Sequence, residues 1–228
     1  MMIKTKKEII YITRACDITD EIFSTIIKQF NFKMEIELRD FILQEIKSRK
    51  LQPSFPPIVT SGPRAGNDIH PKSTHERLQG FVIIDFGVIY KGYMSDMTRT
   101  VFIGEPSKKD RGIYAKVLNT QVHTMDYLSD GVRASAGDIF AREYLGNLAK
   151  YFIHTLGHGV GKRIHEAPKL WRKSKYFLRT NMVVTNEPGI YIPNKLGIRI
   201  EDTLVVTDGK PSILTKSPKK FLVFKASA

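Results

Sequence analysis

Cysteine is all but missing: the 228 residues include one, Cys16, so neither an internal disulfide nor a thiolate metal cluster can form. No run approaches the roughly 18 apolar residues that a membrane span needs, and the basic start from Met1 to Arg14 has only short, interrupted apolar stretches. Acidic residues are outnumbered, 23 against 36 Lys and Arg, for a net charge of +13. That excess favours loose association with nucleic acid or anionic surfaces. Its groups are scattered, however, at Lys4 to Lys7, at Lys108, Lys109 and Arg111 and at Lys219-Lys220, without interleaved aromatics, so specific nucleic-acid binding is not expected. No Pro/Gly/Ser linker divides the chain, and Leu51 to Pro57 is too short and too apolar for a free tether. These absences predict a soluble, cytoplasmic protein forming one domain over residues 1–228, with no membrane contact.

What is present is an ordinary globular text, 42% hydrophobic and 26% charged. Apolar residues at Ile9, Ile12 and Cys16, at Ile22, Ile26 and Phe30, and at Leu38, Phe41, Ile42 and Ile46 follow helical spacing, predicting helices through most of residues 6–50. Ile58 to Thr60, Phe81 to Phe86 and Tyr93 to Ile103 then read as strands. Ser107 with Asp110 resembles a capping box, and Tyr114, Val117, Leu118, Met125 and Leu128 give an apolar face to the helix that follows. A further helix is expected near 138–148, then strands at 182–185, 190–192, 198–206 and 221–224. Helices then strands, twice over, predict a pseudo-symmetric α+β fold, although no repeat is visible residue by residue.

The chemistry lies in acidic residues inside apolar strands. If Tyr90-Lys91 is a hairpin tip, Asp85 faces Asp96; around the turn Pro193-Asn194-Lys195, Glu187 faces Glu201. Facing carboxylates have Cβ atoms about 4.5–5.5 Å apart. At that range they repel by about 3 kcal/mol at an effective dielectric of about 20. One such pair is met by a solvated strand face with a neighbouring Lys or Arg, whereas two pairs within apolar strands call for cations or shared protons. Between them, residues 154–165 hold three of the six histidines, His154, His158 and His165, separated by glycines. Four carboxylates and an imidazole suit an oxygen-rich site for two metal ions. Competing motifs lack their partners. Asp85-Phe86-Gly87 has no kinase catalytic loop beside it, residues 157–162 have neither the spacing nor the hydroxyl of a phosphate loop, and there is no nucleophile elbow.

Five segments together, Ile84 to Gly87, Ser95 to Thr100, Gly157 to Gly161, Thr185 to Tyr191 and Gly197 to Asp202, make the chain resemble the pita-bread metallopeptidases, the family of methionine aminopeptidase, aminopeptidase P, prolidase and creatinase. The resemblance implies helices packed on a curved antiparallel sheet. It implies Asp85, Asp96, His158, Glu187 and Glu201 as ligands of two divalent ions, with Asp96 and Glu201 bridging, Asp85 holding one ion, and His158 with Glu187 the other. Manganese or cobalt is the ion expected, zinc and iron being compatible with the same ligands. It further implies that His70, His154 and His165 line the substrate pocket and that Arg199 and Tyr191 stand behind the ligands; His75 and His123 match nothing.

Glu-Pro-Gly-Ile-Tyr followed by Arg-Ile-Glu-Asp resembles the Xaa-Pro branch of that family, and the reading is therefore an exopeptidase hydrolysing the bond after the N-terminal residue of a peptide, Xaa-Pro in particular. Glu187 would pass a proton to the leaving nitrogen, with His165 or His70 stabilising the oxyanion. The chain departs from the family pattern at Lys162-Arg163 and at Asn181, and the extra N-terminal domain of larger relatives is not expected in it. A homodimer fits the family. The rival readings are a methionine aminopeptidase-like exopeptidase on the same site and a non-catalytic pita-bread module that binds RNA or a ribosome; the complete ligand set favours an enzyme.

Overall fold

The first helix, α1 (Lys6–Lys28), opens on a capping box: the Glu8 backbone N–H donates to Thr5 Oγ1 at 3.3 Å, and the Thr5 N–H donates to the Glu8 carboxylate at 2.8 Å. In the computed structural model, which describes residues 2–226, α1 runs unbroken and α2 (Glu35–Ser48) follows. The periodic residues Ile12, Cys16, Ile22, Ile26, Leu38, Ile42 and Ile46 are buried, as their spacing predicts. Phe30 lies past the end of α1, where it stacks on Phe224 with ring centroids 4.1 Å apart.

The second half repeats this order. Ser107 and Asp110 form the expected capping box of α3 (Lys108–Thr124). Its predicted face continues past the helix, with Leu128 fully buried after a 3-10 turn at Met125–Tyr127. Helix α4 (Ala136–Leu145) begins earlier and ends sooner than the spacing predicts. It stops at Gly146, whose φ of 58° leaves the helical region, and a 3-10 segment, Gly146–Tyr151, takes over.

Each helix pair packs on the outer side of its own sheet. Strands Ile58–Ser61, Gly80–Phe86 and Met97–Ile103 are antiparallel neighbours covered by α1 and α2, and Gly157–Gly159, Val183–Asn186 and Asp202–Val205 form the centre of the second sheet, whose core includes α3 and α4 residues. The fold is α+β, but the expected single sheet is two principal hydrogen-bonded sheets. They meet where the Glu201 N–H, just before Asp202–Val205, donates to the Thr98 carbonyl at 3.1 Å; beside this the two-stranded hairpin of Gly189–Ile192 and Leu196–Arg199 is tied to the first sheet by Thr100 Oγ1, which donates to the Arg199 carbonyl at 2.7 Å. Nor is every pairing antiparallel, since Val223–Phe224 joins Met97–Ile103 as a parallel edge. Phe221, expected in that strand, instead lays its ring 4.5 Å from that of Tyr114.

Three strand expectations need correction. The run from Tyr93 to Ile103 breaks at Ser95-Asp96, and that from Ile198 to Val206 breaks at Ile200-Glu201, so acidic residues of the site sit at interruptions. Gly157–Gly159 and Glu166–Leu170 are strands although neither alternates in the usual way. The first hairpin turns at Lys91-Gly92, because both residues adopt positive φ, 50° and 80°, as a tight two-residue turn requires. Tyr90 therefore pairs with Tyr93, and Asp85 faces Thr98 rather than Asp96. The offset is two residues, which preserves the face: Asp85 and Asp96 are diagonal neighbours on one side. The second hairpin keeps the predicted register, Gly189 with Arg199 and Asn186 with Asp202 on either side of Glu187 and Glu201.

Candidate metal centre

Asp85, Asp96, Glu187, Glu201 and His158 line one recess where the two sheets meet. Asp85, the penultimate residue of the strand Gly80–Phe86, has Oδ2 accepting from Arg199 Nη2 at 2.5 Å. Thr98 Oγ1 donates to Glu201 Oε2 at 2.6 Å, and Thr185 Oγ1 to Glu187 Oε1 at 3.1 Å. These hydroxyls fix one carboxylate oxygen each. Asp85 Oδ1 and Glu201 Oε1 are left buried without a hydrogen-bond partner among the described residues. Buried carboxylate oxygens are rarely abandoned, and two facing one recess mark a place for a cation.

His158 is placed by its neighbours. A Cβ on Gly157 would stand 2.2 Å from the Thr185 carbonyl oxygen, and one on Gly159 2.4 Å from that of Ala167, so only glycine lets this strand lie so close to its partners. His158 Nδ1 is 3.1 Å from the Gly159 carbonyl. A carbonyl only accepts, so Nδ1 carries a proton, and Nε2 faces inward, 3.2 Å from Glu187 Oε1 and 3.6 Å from Asp96 Oδ2, as the nitrogen left to ligate a cation that displaces its proton. Ligand atoms of Asp96, His158 and Glu201 all lie within 4.8 Å of one another.

The electrostatics agree with a site built for positive charge. Burial, then repulsion from Glu201, Asp85 and Glu187, drives the Asp96 carboxyl well above the usual range, and Glu201 is raised in the same way. Burial would also raise Glu187, but His158, His154 and Arg199 overcome it and bring that carboxyl down to about 2. A group of acids in which some resist ionisation is stabilised by cations. The donor set, four carboxylates and one imidazole, fits hard or borderline divalent ions.

A hydrogen-bonded chain leads away from the recess. Arg199 Nη1 donates to Tyr191 Oη at 2.5 Å, Tyr191 Oη donates to His154 Nε2 at 3.1 Å, and His154 Nδ1 donates to the Thr155 carbonyl at 2.8 Å. Burial lowers His154 to about 4 and raises Tyr191 to about 12, so the imidazole is neutral and the phenol protonated near pH 7. His70 and His165 both border the recess on the open side, and the His165 ring stands edge-on to that of His158 with centroids 4.3 Å apart. His75 and His123 line neither of the two cavities at the site.

Two residues with no role assigned from the sequence hold this frame together. Arg99 is fully buried and donates to the carbonyls of Thr98, Glu201 and Ser217 and, at 2.7 Å, to Asp202 Oδ1. Asp202 is also paired with Lys219, and these two cations hold its carboxyl below the usual range against the effect of burial. An arginine in the middle of an apolar strand was the available signal for this clamp.

The recess opens in two directions. On one side is a cavity of about 390 Å³ with Phe55, Pro56, Pro57, Ile58 and Ile164 in its wall, and on the other is a cavity of about 930 Å³ reaching past His154 to Trp171 and Arg172. His70, His158, His165, Glu187 and Arg199 border both.

Comparison with known proteins gives a consistent result. Residues 11–208 match metallopeptidase family M24. The chain is 38% identical over 227 residues to an Xaa-Pro dipeptidase of Pyrococcus furiosus, covering 97% of this chain and 65% of that protein. It superposes with a TM-score of 0.93 on prolidase from Thermococcus sibiricus, at 36% identity over 98% of this chain and 62% of the other. The same score relates it to an Xaa-Pro dipeptidase from Bacillus anthracis, at 38% identity over 98% of this chain and 64% of the other. The chain thus spans between 62% and 65% of the length of these relatives. Prolidase structures superposing this well share the pita-bread fold.

Proposed function

This chain belongs to metallopeptidase family M24, and from that premise we propose that it is a metal-dependent exopeptidase that hydrolyses the bond after the N-terminal residue of a peptide, with proline preferred next. Asp85, Asp96, His158, Glu187 and Glu201 would hold two divalent ions, manganese or cobalt. The observation that carries this reading is the pair of buried, unpartnered oxygens, Asp85 Oδ1 and Glu201 Oε1, in a recess already crowded with acids. When bound, such ions supply Lewis acidity and lower the pKa of water toward neutrality.

The residues of the chain then have separate tasks. Asp85 and Glu187 present negative charge to the free N-terminal amine of the peptide, and Glu187, ionised at neutral pH, carries a proton toward the leaving nitrogen. His165, whose ring stands edge-on to that of His158, donates a hydrogen bond to the oxyanion, with His70 as the other candidate for that role. Arg199 holds Asp85 and Tyr191 in place, and Tyr191 holds His154. Phe55, Pro56, Pro57 and Ile164 supply an apolar recess beside the acids.

Proline makes the scissile bond a tertiary amide whose nitrogen has no hydrogen to donate, so selection rests on ring shape. An Xaa-Pro peptide is expected to be cleaved at least about tenfold faster than its Xaa-Ala counterpart, measured as kcat/KM with added manganese. Equal rates, or a preference for methionine before a small residue, would move the protein to the methionine aminopeptidase reading. No cleavage of either, with metal bound, would leave a non-catalytic module.

A further inference from the structure

The larger cavity, about 930 Å³, lies at the upper end of the roughly 300–1,000 Å³ typical of sites that enclose a whole drug-sized ligand, and a dipeptide does not fill it. Its far wall carries charge that no carboxylate among the described residues neutralises. The two acids on that side are already taken: Asp138 is buried and accepts from Arg142 Nε at 2.9 Å, while Glu166 accepts from Lys4 Nζ at 2.6 Å. Arg142 is consumed in turn, donating also to the carbonyls of Phe152 and His154 at 2.8 and 2.7 Å. Lys150, Lys169 and Arg172 remain on the same wall; the Arg172 backbone N–H donates to Asp138 Oδ2 at 3.1 Å, but among the described residues no carboxylate forms an ion pair with the side chain of any of the three. Apolar surface accompanies the charge, with Ile153 59% and Trp171 36% exposed. Cations on a concave wall focus a positive potential into it and favour anionic ligands.

We propose that the outer lobe of this cavity, built from Lys150, Trp171 and Arg172, binds acidic residues of a peptide downstream of the scissile bond. The substrates are then acidic peptides longer than a dipeptide. This rests on the exopeptidase reading: Asp85, Asp96 and Glu201 border only the smaller cavity, so the N-terminal residue is assigned to that side and the leaving part of the peptide to the larger cavity. Trp171 and Ile153 pack against the peptide chain, while Lys150 and Arg172 meet its side-chain carboxylates.

Trp171 is the single tryptophan of the chain, so its emission reports on this lobe alone, independently of turnover. The probes are Ala-Pro-Glu-Glu-Glu and Ala-Pro-Lys-Lys-Lys, each with the scissile amide replaced by a methyleneamine that cannot be hydrolysed. The acidic probe is expected to change Trp171 emission saturably and to bind about tenfold more tightly than the basic one at low salt, the advantage falling to about twofold near 0.5 M salt. K150E/R172E should reverse the preference while leaving the melting midpoint unchanged, because both side chains are exposed. Equal affinity for the two probes, or binding without any change in Trp171 emission, overturns the proposal. If Xaa-Pro bonds are cleaved without charge discrimination, this inference falls and the exopeptidase reading stands. If acidic selectivity persists in a protein that cleaves neither Xaa-Pro nor Xaa-Ala, the reverse holds.

Discussion

The Asp85 carboxylate is divided between two environments: Oδ2 lies 2.5 Å from Arg199 Nη2, and Oδ1 is buried with no partner. Arg199 offsets part of the charge of the acids around it but reaches only one side of this carboxylate. If divalent ions complete the balance, manganese should raise the melting midpoint in a concentration-dependent way, by the equivalent of about 2.7 kcal/mol at a hundredfold excess over Kd, and a chelator should lower it. A midpoint indifferent to both, with no metal retained by elemental analysis, would refute the metal centre.

Asp96 and His158 should differ in what their loss does. Asp96 lies in the compact group with His158 and Glu201, and as a bridge it would serve both ions, whereas His158 would serve one. Asp96→Asn is therefore expected to retain less metal per chain than His158→Ala after gel filtration. The opposite order would mean that Asp96 is not shared.

His165→Ala should lower kcat by on the order of 10²- to 10³-fold while metal content stays unchanged, the effect of removing one transition-state hydrogen bond. Its ring borders the recess without being grouped with the carboxylates. Loss of metal in this variant would show instead that His165 is a ligand.

The chain start is tied down by a bridge from Ile3 to Met182 and by the Lys4–Glu166 pair, whose side chains are 3% and 10% exposed. Burial alone would raise Glu166, but the hydrogen bond from Lys4, the Arg163 N–H and the Lys4 charge bring it below its ordinary value. A carboxyl lowered in the folded state adds stability that is complete above the unfolded pKa, about 4.3, and is lost as pH falls through the folded value. Lys4→Met should therefore lower the midpoint at pH 7, and the gap to wild type should narrow progressively as pH falls below about 4.3. A gap constant with pH would assign the loss to packing alone.

The site was legible in the sequence to the extent that local rules govern it. The hairpin around Asn194 kept its register because its turn residues mark the centre unambiguously, with Asn194 at a φ of 54°. The Lys91-Gly92 turn was misplaced because a lysine at positive φ carries little local signal, although the face of Asp96 survived an error of two residues. Asn181, at a φ of 68°, does adopt the backbone that glycine would otherwise supply. Gly157–Gly159 and Glu166–Leu170 escaped because what makes them strands is the closeness of neighbours far along the chain. The cationic wall was equally hidden: Lys150 and Arg172 stand apart in sequence, and which acids are already neutralised is decided only by the packed structure.

The tight seating of the glycines around His158 bears on how this protein tolerates change. At Gly157 the obstacle to any side chain is the Thr185 backbone, and Thr185 also contacts Glu187, so an intruding methyl would push apart two of the proposed ligands at once. In a saturation-mutagenesis map, Gly157 would score as intolerant as the ligands themselves although it contributes no functional group. Selection at this position and at His158 would act as a single constraint, so drift could reshape the apolar recess or the basic wall long before it reached the strand between them.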